Sequence, residues 1–510
     1  MEQIEFIKKL YNGKNCYSDF MTKDQLNILR IDSHVDKLID KFISNKIVFL
    51  TGNPGDGKTY IIRSHQESID KYNVYVNTDI NSLNDSEMDE FINKLVEIYN
   101  SDRGCIVAAN EYPFLQLQKR MKSINLKMYN ELNDCKKHNI IFGNNHYTCS
   151  KCIVIDLNER NLLTTDEGTG LDLGNLINKT ANYLSSGDLS TLPRISNVIK
   201  FLRDSNVQSK IIYLLNYVAF TGNHFVVRDI LGFISYLFLS TIIDENDKNY
   251  YDALFDNESE NKILIELKKF DPVQITDPVL DEKLWNGEIT DGWIFDKPDI
   301  IPANMESKIE AINKFISIKR KYYFENNNAS PEKFVDKVYI SILGMIKHPE
   351  KRENIESIIL AINSLYLSNE TEKNNLLIWT TNRYDISIDY RAAVCAKSVY
   401  KDKFELLVPQ KDLWLEDYEF VPSYLIFRLK SDNDVYLKLD IDFLSNLLRI
   451  KDGYPVGLIE PHYEQLINGF MRKLENCDDS VEADEIIIAN RRNNDKLKIK
   501  IDDNKIRFVR

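Results

Sequence analysis

From residue 46 onward, short apolar, β-branched runs alternate with stretches whose apolar residues recur every three or four positions. That alternation predicts a parallel sheet with crossover helices. Four strands are expected, at 46–51, 72–77, 105–109 and 152–157. Between the second and third, Met88, Phe91, Ile92, Leu95, Val96 and Ile98 keep a helical spacing over 86–100, with Ser86 and Asp89 at its start. Ahead of the first strand, Val35, Leu38, Ile39, Phe42 and Ile43 mark one buried helix face, which Asp32 or Ser33 caps. His34 beside them reads as a surface or capping residue, since no partner motif accompanies it. Residues 1–45 are expected to pack as a helical preface beside the end of that strand.

The pattern changes twice more. Residues 175–370 read as mostly helical: 225–239 is apolar all round, as a buried helix is, and 309–318 is amphipathic through Ile309, Ile312, Phe315 and Ile316. The stretch 271–302 holds four of the 13 prolines and reads as an irregular connection at a domain edge. After 372 the composition turns to strands, at 376–381, 424–429, 435–439, 485–489 and 497–501, the last two flanking a turn at 490–495 that carries Arg491 and Arg492. The expected fold is α/β, followed by a helical region and a C-terminal α+β region. Its segments are 1–45, 46–175, 176–370 and 371–510, without internal repeats.

Composition narrows the function classes. With 43% hydrophobic and 28% charged residues, the chain reads as a soluble globular protein, and no run approaches the ~18 apolar residues a membrane span needs. Its start, Met1-Glu2-Gln3-Ile4-Glu5-Phe6, lacks a basic region followed by an apolar one, so the expected location is cytoplasmic. A net charge of -13 argues against broad attraction to nucleic acid, although a local basic patch stays open. Seven scattered cysteines give no disulfide framework.

Only 18 of the 510 residues are Gly, yet three fall in Gly52-Asn53-Pro54-Gly55-Asp56-Gly57-Lys58-Thr59, directly after the first predicted strand and before a predicted helix. Glycines at that spacing let the backbone curl and turn successive amides toward phosphate oxygens. Lys58 is then expected to reach the β and γ phosphates, and the Thr59 hydroxyl to ligate Mg²⁺. The free amides and the helix dipole both favour an anion there.

A triphosphate site also needs an acid near the metal and a group that positions water. Asn110-Glu111 ends the third apolar strand, 53 residues after Lys58, and Ile155-Asp156-Leu157-Asn158-Glu159-Arg160 ends the fourth. Gly222-Asn223-His224-Phe225-Val226-Val227-Arg228-Asp229 opens the apolar helix. Arg160 reads as a surface ion-pair partner, and a purely structural Arg228 stays open. Cys135 with His138, and Cys149 with Cys152, form two pairs each separated by two residues, with ten residues between the pairs. That spacing suits a structural tetrahedral Zn²⁺ site, with His146 as a competing ligand and a buried-strand role for Cys152 as the alternative.

These motifs resemble those of AAA+ and STAND-type P-loop ATPases over somewhat under half the chain, from Gly52 to Arg228. The resemblance implies a P-loop NTPase sheet with a helical lid, ATP and Mg²⁺ as cofactors, and possible homo-oligomers. Glu111 would position the attacking water, and Asn110, where the family carries Asp, would touch Mg²⁺ through water, with Asp79 or Asp156 supplying the missing charge. Asn158 would be the first sensor and Arg228 the second. A rival assignment makes 153–156 the Walker B strand. More narrowly, the set is similar to bacterial defence ATPases of phosphorothioation-dependent DNA restriction. That implies an ATPase motor or switch in a restriction or anti-phage system, protein partners, and DNA met directly or through them. A nucleotide-gated scaffold with little turnover stays open, because Asn110 permits it. So does a structural subunit whose loop only stabilises the fold. No nuclease signature occurs, so any cleavage is assigned to a partner.

Overall fold

The computed structural model describes residues 2–11, 22–28, 30, 33–142, 145–163, 172–189, 192–221, 223–245, 248–301, 307–367, 370–379, 392–415, 418–477, 479, 481–490, 495–502 and 505–509. The chain forms two compact units, one of residues 1–335 with 410–421, the other of 336–409 with 422–510. The boundaries expected at 45 and 175 fall inside the first unit.

The first unit is built on a parallel sheet of β1 (Ile47–Gly52), β2 (Tyr75–Asn77), β3 (Cys105–Asn110) and β5 (Cys152–Asp156), in the order β2-β3-β1-β5. All six residues of β1 are buried, as expected for a central parallel strand covered on both faces. A two-residue β4 (Ile140–Ile141) lies apart from this sheet.

Two strand ends differ from expectation for local reasons. Asn73, at φ 49°, closes the Gln66–Tyr72 helix in the left-handed conformation, so β2 begins at Tyr75. Asp156 caps the short 3₁₀ turn Leu157–Glu159 by accepting the Asn158 amide, which ends β5 before Leu157. The Asp85–Tyr99 helix is capped by Asn84 with Glu87, two residues ahead of the expected Ser86 and Asp89. Ser33 caps the His34–Phe42 helix by accepting the Val35 amide, with Asp36 closing the box; Asp32 lies outside the described residues.

The expected helical region is present, and the Val227–Ile243 helix is buried along most of its length. The leading Glu2–Tyr11 helix lies against it, with the Ser235 hydroxyl donating to the Ile7 carbonyl at 2.6 Å. Among the described residues no helix is long and apolar enough to cross a membrane.

Residues 271–302 are not a domain edge. They lie inside the first unit and hold a capped Pro278–Asn286 helix, because buried Lys319 and Arg320 pin them: Lys319 Nζ donates to the Ile275 carbonyl and to Asp281, both at 2.6 Å, and Arg320 pairs with Asp271. The Lys308–Glu325 helix that carries these cations leaves Ile309 71% and Ile312 50% exposed, against the expected apolar face.

The second unit contains β6 (Asn375–Trp379), β7 (Ala392–Tyr400), β8 (Phe404–Leu407), β10 (Tyr424–Leu429), β11 (Tyr436–Asp440), β12 (Val481–Asn490), β13 (Lys496–Asp502) and β14 (Lys505–Val509). They form a three-stranded antiparallel sheet, β11-β10-β8, and a five-stranded one, β14-β13-β12-β7-β6. The expected β12–β13 pairing is present, with Glu485 opposite Lys500. Arg491, Arg492 and the last two residues of the strand expected at 376–381 lie outside the described residues. The remaining strand, β9 (Gln410–Lys411), pairs antiparallel with β4 in the first unit.

Candidate functional site

β1 delivers the chain to Gly52 between the ends of two neighbours: Gly52 pairs with Asn110 of β3 and Thr51 with Asp156 of β5. Ligands of open parallel sheets sit at such carboxyl ends. Gly52, Gly55 and Gly57 have φ values of +147°, +102° and +81°, which side-chain-bearing residues rarely adopt. Within the curl, Lys58 Nζ donates to the carbonyls of Gly52 (3.0 Å) and Asn53 (2.7 Å). Burial pushes the Lys58 pKa down, and the carboxylates of Asp56, Asp156 and Asp79 oppose that shift. Thr59 follows as the second residue of the Lys58–Ser64 helix, half-buried.

The flanking acids form one network. Glu111, first residue of the Glu111–Ile124 helix, accepts from Lys136 Nζ through Oε1, while its buried Oε2 has no partner among the described residues. Lys136 Nζ also lies 3.7 Å from Asp156 Oδ2. Burial pushes the Asp156 carboxyl up; Lys136 opposes this and Glu111 reinforces it. Asn158 gives its amide to Asp156 at 3.1 Å, and its side-chain Oδ1 is buried without a partner among the described residues. On the other side the Asn110 amide donates to Asn81 Oδ1 (3.1 Å), and Asp79 accepts the Asn81 amide (3.0 Å).

The run 224–228 lies against the loop. His224 Nε2 pairs with Asp56 Oδ1 at 2.7 Å. A methyl placed on Gly55 would stand 3.3 Å from Val226 Cγ2 and 3.6 Å from Arg228 Cζ, so Arg228 lies beside the loop. Gly222 lies outside the described residues.

Arg160 corrects an expectation: it is an ion-pair partner, but a buried one. Its guanidinium donates to Glu419 Oε2 (3.1 Å) and Ser33 Oγ (2.6 Å).

The cysteine and histidine set is divided. Cys135 Sγ accepts the Val154 amide at 3.2 Å, and burial beside Cys149 raises its pKa. Cys152 is buried within β5, its thiol pushed up by burial with Glu131 and Cys105 nearby. His138 Nδ1 faces the Asn145 carbonyl at 3.1 Å, and both His138 (3.5 Å) and His146 (3.2 Å) face the buried carboxylate of Asp412. Among the described residues no group of three or more His, Cys, Asp or Glu is arranged to hold a metal ion.

The sequence reading missed the partners of the site residues. Lys136 and His224 carry no spacing signal that ties them to Glu111 and Asp56, which lie 25 and 168 residues away. Comparisons with protein-family models, with curated proteins and with solved structures returned no match.

Proposed function

We propose that the chain binds ATP with Mg²⁺ at the glycine loop and hydrolyses it. The loop itself carries this reading: three glycines at positive φ curl around a buried lysine ammonium at the end of a central parallel strand. The residues fit such a ligand. A methyl on Gly52 would stand 2.5 Å from Asp56 Oδ2, so position 52 tolerates backbone alone. Lys58 can exchange its two carbonyl acceptors for phosphate oxygens, and Thr59 offers a hydroxyl to the metal. Magnesium, when bound, offsets charge on the β and γ phosphates. Asp156 and Asp79, both within electrostatic reach of Lys58, supply the negative charge that Asn110 lacks. Glu111 Oε2 is the acceptor for the proton of an attacking water, and Asn158 Oδ1 a second polar contact. Arg228, beside Gly55, can meet charge developing on the transferred phosphoryl group.

A second reading, a nucleotide-gated scaffold with slow turnover, draws on the ion pair that ties Glu111 to Lys136 and on the neutral Asn110. The restriction or anti-phage setting belongs to the proposal through the resemblance of the motifs between Gly52 and Arg228.

A ligand at 100 times its Kd stabilises the native state by about 2.7 kcal/mol, so ATP with Mg²⁺ should raise the melting temperature. Lys58→Ala should abolish that rise, and Glu111→Gln should keep it while losing phosphate release. Turnover should be measured with and without DNA. Absence of any ATP-induced shift in the unaltered chain sinks the proposal; a shift without turnover selects the scaffold.

A further inference from the structure

The glycine loop carries its own negative charge. Asp56, between Gly55 and Gly57, is 4% exposed, and its Oδ2 accepts the Asn53 amide at 2.6 Å. A carboxylate there fixes the curl, but it also opposes any anion the curl receives. A buried charge of this kind persists when it is paired. The partner is His224, whose Nε2 stands 2.7 Å from Asp56 Oδ1 and whose Nδ1 is buried with no partner among the described residues.

The contact extends along the loop. A methyl on Gly55 would meet Val226 Cγ2 at 3.3 Å, and one on Gly57 would meet Val227 Cγ2 at 3.4 Å. At Gly55 a side chain would crowd Val226, whereas at Gly57 it would only touch Val227. Val226 and Val227 lead directly into the Val227–Ile243 helix, where Asp229 accepts the Val226 amide at 3.0 Å.

We propose that His224 is the counter-ion of Asp56 and a positioning residue that couples the glycine loop to the Val227–Ile243 helix. It acts through Asp56 and need not touch the ligand. With both His224 and the Lys58 ammonium facing it, Asp56 shapes the loop while repelling phosphate little; without His224, more of its charge faces the incoming anion. The ligand consequence rests on the reading of the loop as a triphosphate site, whereas the coupling of the two side chains does not.

The test uses the full chain with His224→Gln, Asp56→Asn and the double variant. Two quantities are read: equilibrium unfolding without nucleotide, and the dissociation constant for ATP with Mg²⁺. His224→Gln should weaken ATP binding roughly tenfold or more, because one partner of a buried charge pair is left alone. Asp56→Asn should cost little affinity, and adding it to His224→Gln should restore binding. Rescue by removing a charge distinguishes a counter-ion from a packing role. In unfolding, the effects of the two single changes should fall well short of adding in the double variant. If the double variant binds as weakly as His224→Gln, charge compensation is wrong. Full additivity in unfolding overturns the coupling. An unaltered chain that binds no ATP refutes the reading of the loop, and the unfolding cycle then still decides whether the pair is coupled. Far-ultraviolet circular dichroism identifies any variant that fails to fold, and Asp56→Asn, nearly isosteric, keeps the cycle accessible.

Discussion

Gly55 sits at φ +102° with Val226 at its back, so a single methyl group tests the curl of the loop. Gly55→Ala should lower unfolding free energy by about 1–3 kcal/mol and weaken ATP binding, because both conformation and space oppose the side chain. Gly344, inside the Lys337–Lys347 helix with nothing within 4 Å of an added methyl, is the control. Gly344→Ala should gain roughly 0.5–1 kcal/mol. Equilibrium denaturation separates the two, and equal effects would mean that the loop conformation does not constrain position 55. At this scale the sequence was most legible where chemistry is local. Three glycines at fixed spacing after a strand foretold a tight curl, and Gly52, Gly55 and Gly57 do adopt positive φ; Arg228, in the first turn of the Val227–Ile243 helix, was expected near it only through the family resemblance. Asp56 was expected only as part of the binding loop; its contact with His224, 168 residues away, is one that only the fold brings about.

Element positions were legible from periodicity, whereas the faces they bury were not always. The 309–318 pattern located part of the Lys308–Glu325 helix, yet its buried side carries Lys319 and Arg320 while Ile309 and Ile312 face outward. Three carboxylates, Asp252, Asp256 and Asp271, gather on the Arg320 guanidinium, which makes burial of the cation tolerable in a way no apolar count can anticipate. The same helix ends in a pH-sensitive group. Burial pushes the Glu325 carboxyl up to about 7, with Lys321 opposing and Asp299, Asp296 and Asp204 adding to the rise. A carboxyl whose folded pKa is raised favours folding while protonated. Its contribution is complete below the ordinary value of 4.5 and is lost as pH rises through about 7. Glu325→Gln should therefore be more stable than the parent chain at pH 8, by roughly 1–2 kcal/mol after allowance for water contact, and the gap should close toward pH 4.5. Melting curves across that range decide it; a constant gap would show that protonation of Glu325 is not the cause.

At the scale of the whole chain, the first unit is not contiguous in sequence. Residues 410–421 belong to the first unit, although the chain on either side of them belongs to the second. Their local pattern is too short to announce this; their burial makes it plain. Trp414, Leu415 and Tyr418 join the core around the parallel sheet, and the Tyr418 hydroxyl donates to the Asp156 carbonyl at the end of β5. Glu419, fully buried, accepts from the His34 amide at 2.6 Å and from Arg160. The sheet unit therefore cannot complete its core until residue 421 has been synthesised, which departs from the usual order of domains folding as they emerge. A chain ending at Val335 should leave Arg160 buried without its carboxylate and the core without three large side chains. We expect it to bind a hydrophobic dye and to lack the cooperative melting transition of the full chain. In the full chain, Glu419→Ala should reproduce part of that loss, about 3–5 kcal/mol, since the Arg160 charge stays buried when its partner is removed. Cooperative melting of the 1–335 fragment at the temperature of the intact protein would show instead that the parallel sheet and its glycine loop stand without the excursion.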